Sequence, residues 1–105
     1  MNRVLLVSPF RGEEKRNREY LNECILDCVR RGEAPFASHK MYTDSLEDSR
    51  EDERKLGFEC EEAWLAVADL VVVYYDYGIS EGMAHTIQKA TDNHIPVRTR
   101  LLWSK

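Results

Sequence analysis

Apolar residues along this chain follow two periods. Short continuous runs, Val4 to Val7 after Arg3 and Leu70 to Tyr75, have the length and β-branched content of strands covered on both faces. Ser8-Pro9 stops the first run, because proline cannot extend a ladder. Between the runs the period becomes helical. Tyr20, Leu21, Cys24, Ile25, Cys28 and Val29 predict one apolar stripe on a helix from Glu13 to Arg31, with acids at its front, arginines at its back and Gly32 closing it. Ala34 to Ala37 reads as a short strand. The polar segment from His39 to Glu53 reads as a loop or a loosely helical excursion of the length that usually serves function. A second helix is predicted from Arg50 or Glu51 to Val67, with Leu56, Cys60, Ala63, Trp64 and Val67 inward. After a turn at Asp76-Tyr77-Gly78, a third helix runs from Ser80 to Asn93 with Met83, Ile87 and Ala90 inward, and Val97 to Trp103 forms a last strand.

Strands alternating with helices predict an α/β fold, a single domain over residues 1–105 with a small, mainly parallel sheet flanked by helices. In such sheets ligands sit outside the carboxyl ends of the strands, where strand order reverses. Two strand ends carry suitable chemistry. Ser8-Pro9-Phe10-Arg11-Gly12 places a hydroxyl and a guanidinium before a helix start, and Gly78-Ile79-Ser80-Glu81-Gly82-Met83 repeats that logic. Either loop alone also fits an ordinary turn, with Ser80 a simple N-cap. Two such loops at adjacent strand ends favour a shared anion site.

Composition narrows the classes. At 43% hydrophobic and 32% charged residues the chain has a globular profile, and 105 residues suit one core. A net charge of −4 argues against a general nucleic-acid surface, although Arg11, Lys15, Arg16 and Arg18 cluster. No run is long enough to span a membrane, and Met1-Asn2-Arg3 opens on no signal peptide, so the cytoplasm is the expected location. Three cysteines, two at helical spacing, read as reduced core thiols; neither a metal nor a cofactor is expected. Among the acids, Glu61 falls on the exposed flank of its helix, Asp69 precedes a strand, and Glu81 complements a helix dipole; a carboxylate pair would also support glycosidic chemistry. The mixed charges from Asp44 to Arg54 read as solvated surface, with a protein-docking segment as the alternative.

These pieces, together with His39-Lys40-Met41-Tyr42-Thr43, Glu61 to Asp69 and His94-Ile95-Pro96-Val97, resemble the nucleoside 2-deoxyribosyltransferase-like superfamily, and more closely its small phage and bacterial members. The resemblance covers nearly the whole chain. It implies a Rossmann-like, flavodoxin-like domain, homo-oligomers whose subunits share a site, and cleavage or transfer of the bond between a base and a deoxyribose. By the same resemblance Ser8, Arg11 and Gly12 line the sugar or phosphate side, Ser80 and Gly82 hold a 5′-phosphate, and Glu61 faces the base. The family's glutamate nucleophile falls at Thr86, whose hydroxyl has no base beside it in sequence. Binding without catalysis is therefore the expected function: a phosphate-bearing nucleotide derivative, of the ADP-ribose or cyclic-nucleotide kind, sequestered by a phage protein against host defence. The alternative is an N-glycosidase or deoxyribosyltransferase working through Glu81 or Glu61. The expected ligand set is Ser8, Pro9, Phe10, Arg11, Gly12, His39, Glu61, Gly78, Ser80, Glu81, Gly82, Met83 and Thr86. Tyr74, Tyr75, Tyr77 and Trp103 are candidates for a subunit interface or a stacking wall.

Overall fold

A computed structural model describes residues 1–47 and 49–103; Asp48, within the expected polar excursion, lies outside them. Among the described residues the chain runs β1 (Arg3–Val7), α1 (Glu14–Arg30), β2 (Ala34–Phe36), α2 (Ser38–Ser45), α3 (Glu51–Leu65), β3 (Leu70–Tyr74), α4 (Glu81–Asp92) and β4 (Val97–Arg100). The four strands form one sheet in the order β2-β1-β3-β4, parallel throughout, with Val4 opposite Leu70 and Val71 opposite Val97. This is the α/β, flavodoxin-like arrangement. Strand order reverses between β1 and β3, which is where such folds open a crevice.

Because successive side chains on a strand point to opposite faces, β1 and β3 each feed two cores. Val4, Leu6, Leu70, Val72 and Tyr74 meet Tyr20, Leu21, Cys24 and Cys28 of α1. Leu5, Val7, Val71 and Val73 meet Leu65 of α3 and Met83 and Ala90 of α4 on the other face. Neither strand has a polar face for this reason.

Several expectations are corrected. Of the two alternatives for the segment after β2, a loop or a loosely helical excursion, the helical one holds and is regular over Ser38–Ser45; it leans on α3 at Gly57, where an added Cβ would stand 4.0 Å from Tyr42 Cβ. The inward face of α3 is Gly57, Phe58, Glu61 and Leu65 rather than the more apolar stripe, leaving Leu56, Trp64 and, just beyond the helix, Val67 about half exposed. Val29 likewise faces water. Tyr74 is fully buried in the core and forms no outer wall. The last strand stops at Arg100, because the Asp76 carboxylate takes the amide protons of Leu102 (3.0 Å) and Trp103 (3.2 Å) out of any ladder.

The far end of β4 is tied by a bidentate ion pair. Arg100 donates to both oxygens of Glu33 at 2.8 and 2.6 Å and to the Tyr74 hydroxyl at 3.1 Å, while that hydroxyl donates to Asp27 at 2.7 Å. Both side chains are nearly covered, at 12% and 14% exposure, so removal of one strands the other charge. The Arg100 hydrogen bonds, opposed by burial, hold the Glu33 carboxyl below its ordinary value of 4.5. A depressed carboxyl stabilises the fold above its unfolded pKa and loses that contribution as pH falls through its folded value. Arg100→Ala is expected to lower unfolding free energy by roughly 3 kcal/mol in urea titrations at neutral pH. Glu33→Gln should also destabilise at neutral pH, its deficit shrinking as pH drops below 4.5. Equal deficits at all pH values would contradict the assignment.

Candidate functional site

At the carboxyl end of β1, Ser8, Pro9 and Phe10 stay buried after the ladder ends. Their path is held by Asn17, a fully buried amide in the α1 stripe, whose Nδ2 donates to the carbonyls of Phe10 and Arg11, each at 3.1 Å. Gly12, at φ +88°, then turns the chain into α1, a conformation that costs a side-chain-bearing residue steric strain. At the end of β3, Asp76 is fixed from the other side: it accepts from the Tyr20 hydroxyl at 2.5 Å as well as from the two amides of the C-terminal segment. Burial works to raise its carboxyl, but these donors outweigh burial and hold it below the usual range. Gly78, at φ +87°, completes the turn, and Ser80 caps α4 by accepting from the Met83 amide at 3.3 Å. The first-turn amides of α4 have no partner within the helix, so they present positive charge density to the crevice.

Between the two loops lies a cavity of about 340 Å3, roofed by α2 and α3. Its wall includes Val7, Ser8, Pro9, Phe10, Arg11, Ser80, Glu81, Gly82, Met83 and Thr86 from the strand ends and α4. Ser38, His39, Tyr42, Thr43, Leu46, Glu53, Arg54, Gly57, Phe58 and Glu61 come from α2, α3 and the segment between them. That volume is within the range of small-molecule sites. Aromatic faces are organised in pairs. Phe58 packs against His85 with the rings tilted at 46° and centroids 4.2 Å apart, with the Arg54 guanidinium 5.7 Å from the Phe58 ring, and Phe10 meets His39 edge-on.

Two polar constellations face the cavity. Glu61 is the better defined: Ser38 Oγ donates to its Oε2 at 2.8 Å and Thr86 Oγ1 to its Oε1 at 2.5 Å, while Thr86 also reaches the Gly82 carbonyl at 3.3 Å. Three elements thus meet on one carboxylate. The second is Ser8 Oγ, 2.9 Å from His39 Nε2. Burial pushes the His39 imidazole down from 6.5 to about 4, so it is neutral near pH 7. Above it α2 is latched to α1 by Arg18, which pairs with Asp44 at 2.5 Å and lies 4.9 Å from the Phe10 ring centroid. Among the described residues no group of His, Cys, Asp and Glu is placed to hold a metal ion, and no helix is long and apolar enough to cross a membrane.

A family model described as a domain of unknown function (DUF7768) matches residues 2–100. The chain belongs to this family. No curated protein matches it. Among solved structures, a 2-deoxyribosyltransferase from the psychrotolerant bacterium Bacillus psychrosaccharolyticus superimposes with a TM-score of 0.67 over 98% of this chain and 74% of that one, at 17% identity. At that identity the likeness establishes the fold of this DUF7768 member and nothing finer.

Of the residues singled out in sequence, the fold brings Ser8, Pro9, Phe10, Arg11, His39, Glu61, Ser80, Glu81, Gly82, Met83 and Thr86 to one cavity. Gly12 and Gly78 are not on its wall; they shape the turns that deliver the neighbouring residues. Glu61 is not on an exposed flank but inside the crevice, and Thr86, without a base beside it in sequence, has this carboxylate beside it in space. Asp69 serves structure by accepting from the Arg3 amide at 2.6 Å. Asn17, Ser38, Tyr42, Arg54 and Phe58 were not anticipated. Asn17 alone had a signal, a polar residue four positions before Leu21 in an apolar stripe.

A histidine whose folded pKa is lowered stabilises the fold fully above its unfolded value near 6.5 and progressively less as pH falls toward 4. The His39 ring protons are therefore expected to titrate near 4 by NMR. His39→Gln should remove part of the stability loss between pH 6.5 and 4 seen in thermal melts. A His39 titration midpoint near 6.5 would contradict the buried, neutral ring.

Proposed function

We propose that the crevice binds a phosphate-bearing nucleoside derivative and holds it intact. One observation carries this: a single cavity joins an anion-attracting helix start with Arg11 and Arg54, flat aromatic walls at Phe58 and Phe10, and one carboxylate fixed by two hydroxyls. Phosphate suits the Ser80–Gly82 turn, where amides and the helix dipole converge, and arginine adds a fork of donors. A base suits the Phe58 face. The absence of cleavage is argued from Thr86, which stands where the resembling enzymes carry their nucleophile. Its single hydroxyl proton is directed at Glu61, with the Gly82 carbonyl 3.3 Å away, so it is held as a structural donor. Sequestration of an ADP-ribose-type or cyclic nucleotide signal is the finer form of this function and rests on the same pocket and the same threonine. Self-association through the half-exposed Leu56, Trp64 and Val67 belongs to the same proposal.

The second function, N-glycosidic cleavage, is favoured by one contact. Glu61 Oε1 lies 2.5 Å from Thr86 Oγ1, so α3 supplies a carboxylate beside the position where α4 lacks one. In that chemistry Glu61 would attack the anomeric carbon, the base would leave with a proton from solvent or a second acid such as Glu81, and water would release the sugar.

Calorimetry against nucleoside monophosphates, ADP-ribose and cyclic nucleotides, followed by chromatography of the same mixtures, separates the outcomes. Intact binding predicts heat with a compound recovered unchanged. Free base that disappears with Glu61→Gln would establish cleavage instead. No heat with any compound would remove both. Ser80→Ala should weaken a phosphate-bearing ligand by about tenfold, the value of one charge-assisted hydrogen bond and its helix cap, and leave the matching nucleoside little changed.

A further inference from the structure

We infer that Glu61 is the sugar-reading residue and that the crevice is selective for ribonucleotides, taking the vicinal 2′,3′-diol of a ribose in preference to a 2′-deoxyribose. This deepens the proposed function and rests on it. The inference starts from donor and acceptor inventory. A carboxylate only accepts hydrogen bonds and has about four lone-pair sites on its two oxygens. Here each oxygen already receives one hydroxyl proton, Oε2 from Ser38 and Oε1 from Thr86, and these fix the carboxylate plane against rotation. What remains is acceptor capacity on both oxygens of a group that lines the cavity. A ligand offering two adjacent donors uses both. A cis-diol does so from neighbouring carbons, whereas a 2′-deoxyribose brings one hydroxyl and leaves a lone pair of a partly buried anion uncompensated.

Position along the crevice assigns this acceptor to the sugar. Thr86 Oγ1 lies 2.5 Å from Glu61 Oε1 and 3.3 Å from the carbonyl of Gly82, which puts the carboxylate about one helical turn, roughly 5.4 Å, from the first turn of α4 where phosphate would be held. That offset suits ribose hydroxyls when the 5′-phosphate occupies the helix start. Phe58 lies three residues before Glu61 on the same face of α3, the spacing of neighbours on a helix, and lines the same cavity, where a base would meet it. Phosphate, diol and base are thus read in order by Gly82, Glu61 and Phe58. Ser38 and Thr86 are positioning residues: they aim the carboxylate.

The test compares ligands before it compares variants. The four ribonucleoside 5′-monophosphates are titrated calorimetrically, and each that binds is compared with its own 2′-deoxy and 3′-deoxy forms on the unaltered protein. The expected result is a loss of about tenfold or more for removal of either hydroxyl, as hydrogen bonds to a charged acceptor are worth. Glu61→Gln, which replaces one acceptor oxygen by a donor, should lower ribonucleotide affinity by about tenfold or more and abolish the preference for the ribose over its deoxy forms. Equal or tighter binding of the 2′-deoxy forms overturns the inference and leaves the nucleotide pocket standing. So does selectivity for guanine regardless of sugar, which would mean that the carboxylate reads a base edge. Binding of no monophosphate in either sugar series overturns the pocket itself and this inference with it.

Discussion

β1 and β3 have no face that tolerates water. Val4 to Val7 and Leu70 to Tyr74 are all buried, with Val71, Val72, Val73 and Tyr74 at 0% exposure, so the sheet must carry helices on both sides. Covering one face takes α1, which connects β1 to β2 on one side of β1; covering the other takes α3 and α4, which bring the chain to β3 and β4 on the opposite side. The reversal of strand order that opens the crevice is therefore a consequence of burying two apolar strands with a chain that crosses over after each one. The loops after β1 and β3 emerge together because those strands pair from Val4–Leu70 to Val7–Val73.

Once the loops are adjacent, polar satisfaction shapes the site. Asn17 spends its amide on the carbonyls of Phe10 and Arg11, and Asp76 spends its carboxylate on Tyr20 and the C-terminal amides. Both act outside the cavity and hold its two lips from behind. Within the cavity, Ser38 and Thr86 satisfy part of Glu61 and leave the rest to a ligand. In the proposed complex a carboxylate so placed would select donors and the helix start would select anions, so that charge sign would distinguish the two ends of a nucleotide.

The fold was legible because its strongest signals are its deepest residues. The continuous apolar runs mark β1 and β3, and the stripe Tyr20, Leu21, Cys24 and Cys28 marks the inner face of α1. The loops of the site were legible through Ser8, Arg11, Ser80 and Gly82, residue types that suit turns and anions. The roof was not. On α3 two stripes compete, and the apolar one, Leu56, Cys60, Trp64 and Val67, outweighs Phe58, Glu61 and Leu65 on hydrophobicity, although the latter face in. An acid on an inward face is costly until its partners are known, and its partners are hydroxyls from two other helices, 23 and 25 residues away. Helix α2 was legible only as one of two alternatives, a loop or a loosely helical excursion, because Thr43, Asp44 and Ser45 disfavour a helix locally.

All of this converges on one carboxylate in the roof of one crevice. The most direct measurement is a crystal structure of the protein with a ribonucleoside 5′-monophosphate. The account predicts phosphate oxygens on the Ser80–Gly82 amides, the base against Phe58, and both ribose hydroxyls within hydrogen-bond distance of Glu61. A nucleotide seated elsewhere, or one whose sugar faces away from Glu61, would contradict it.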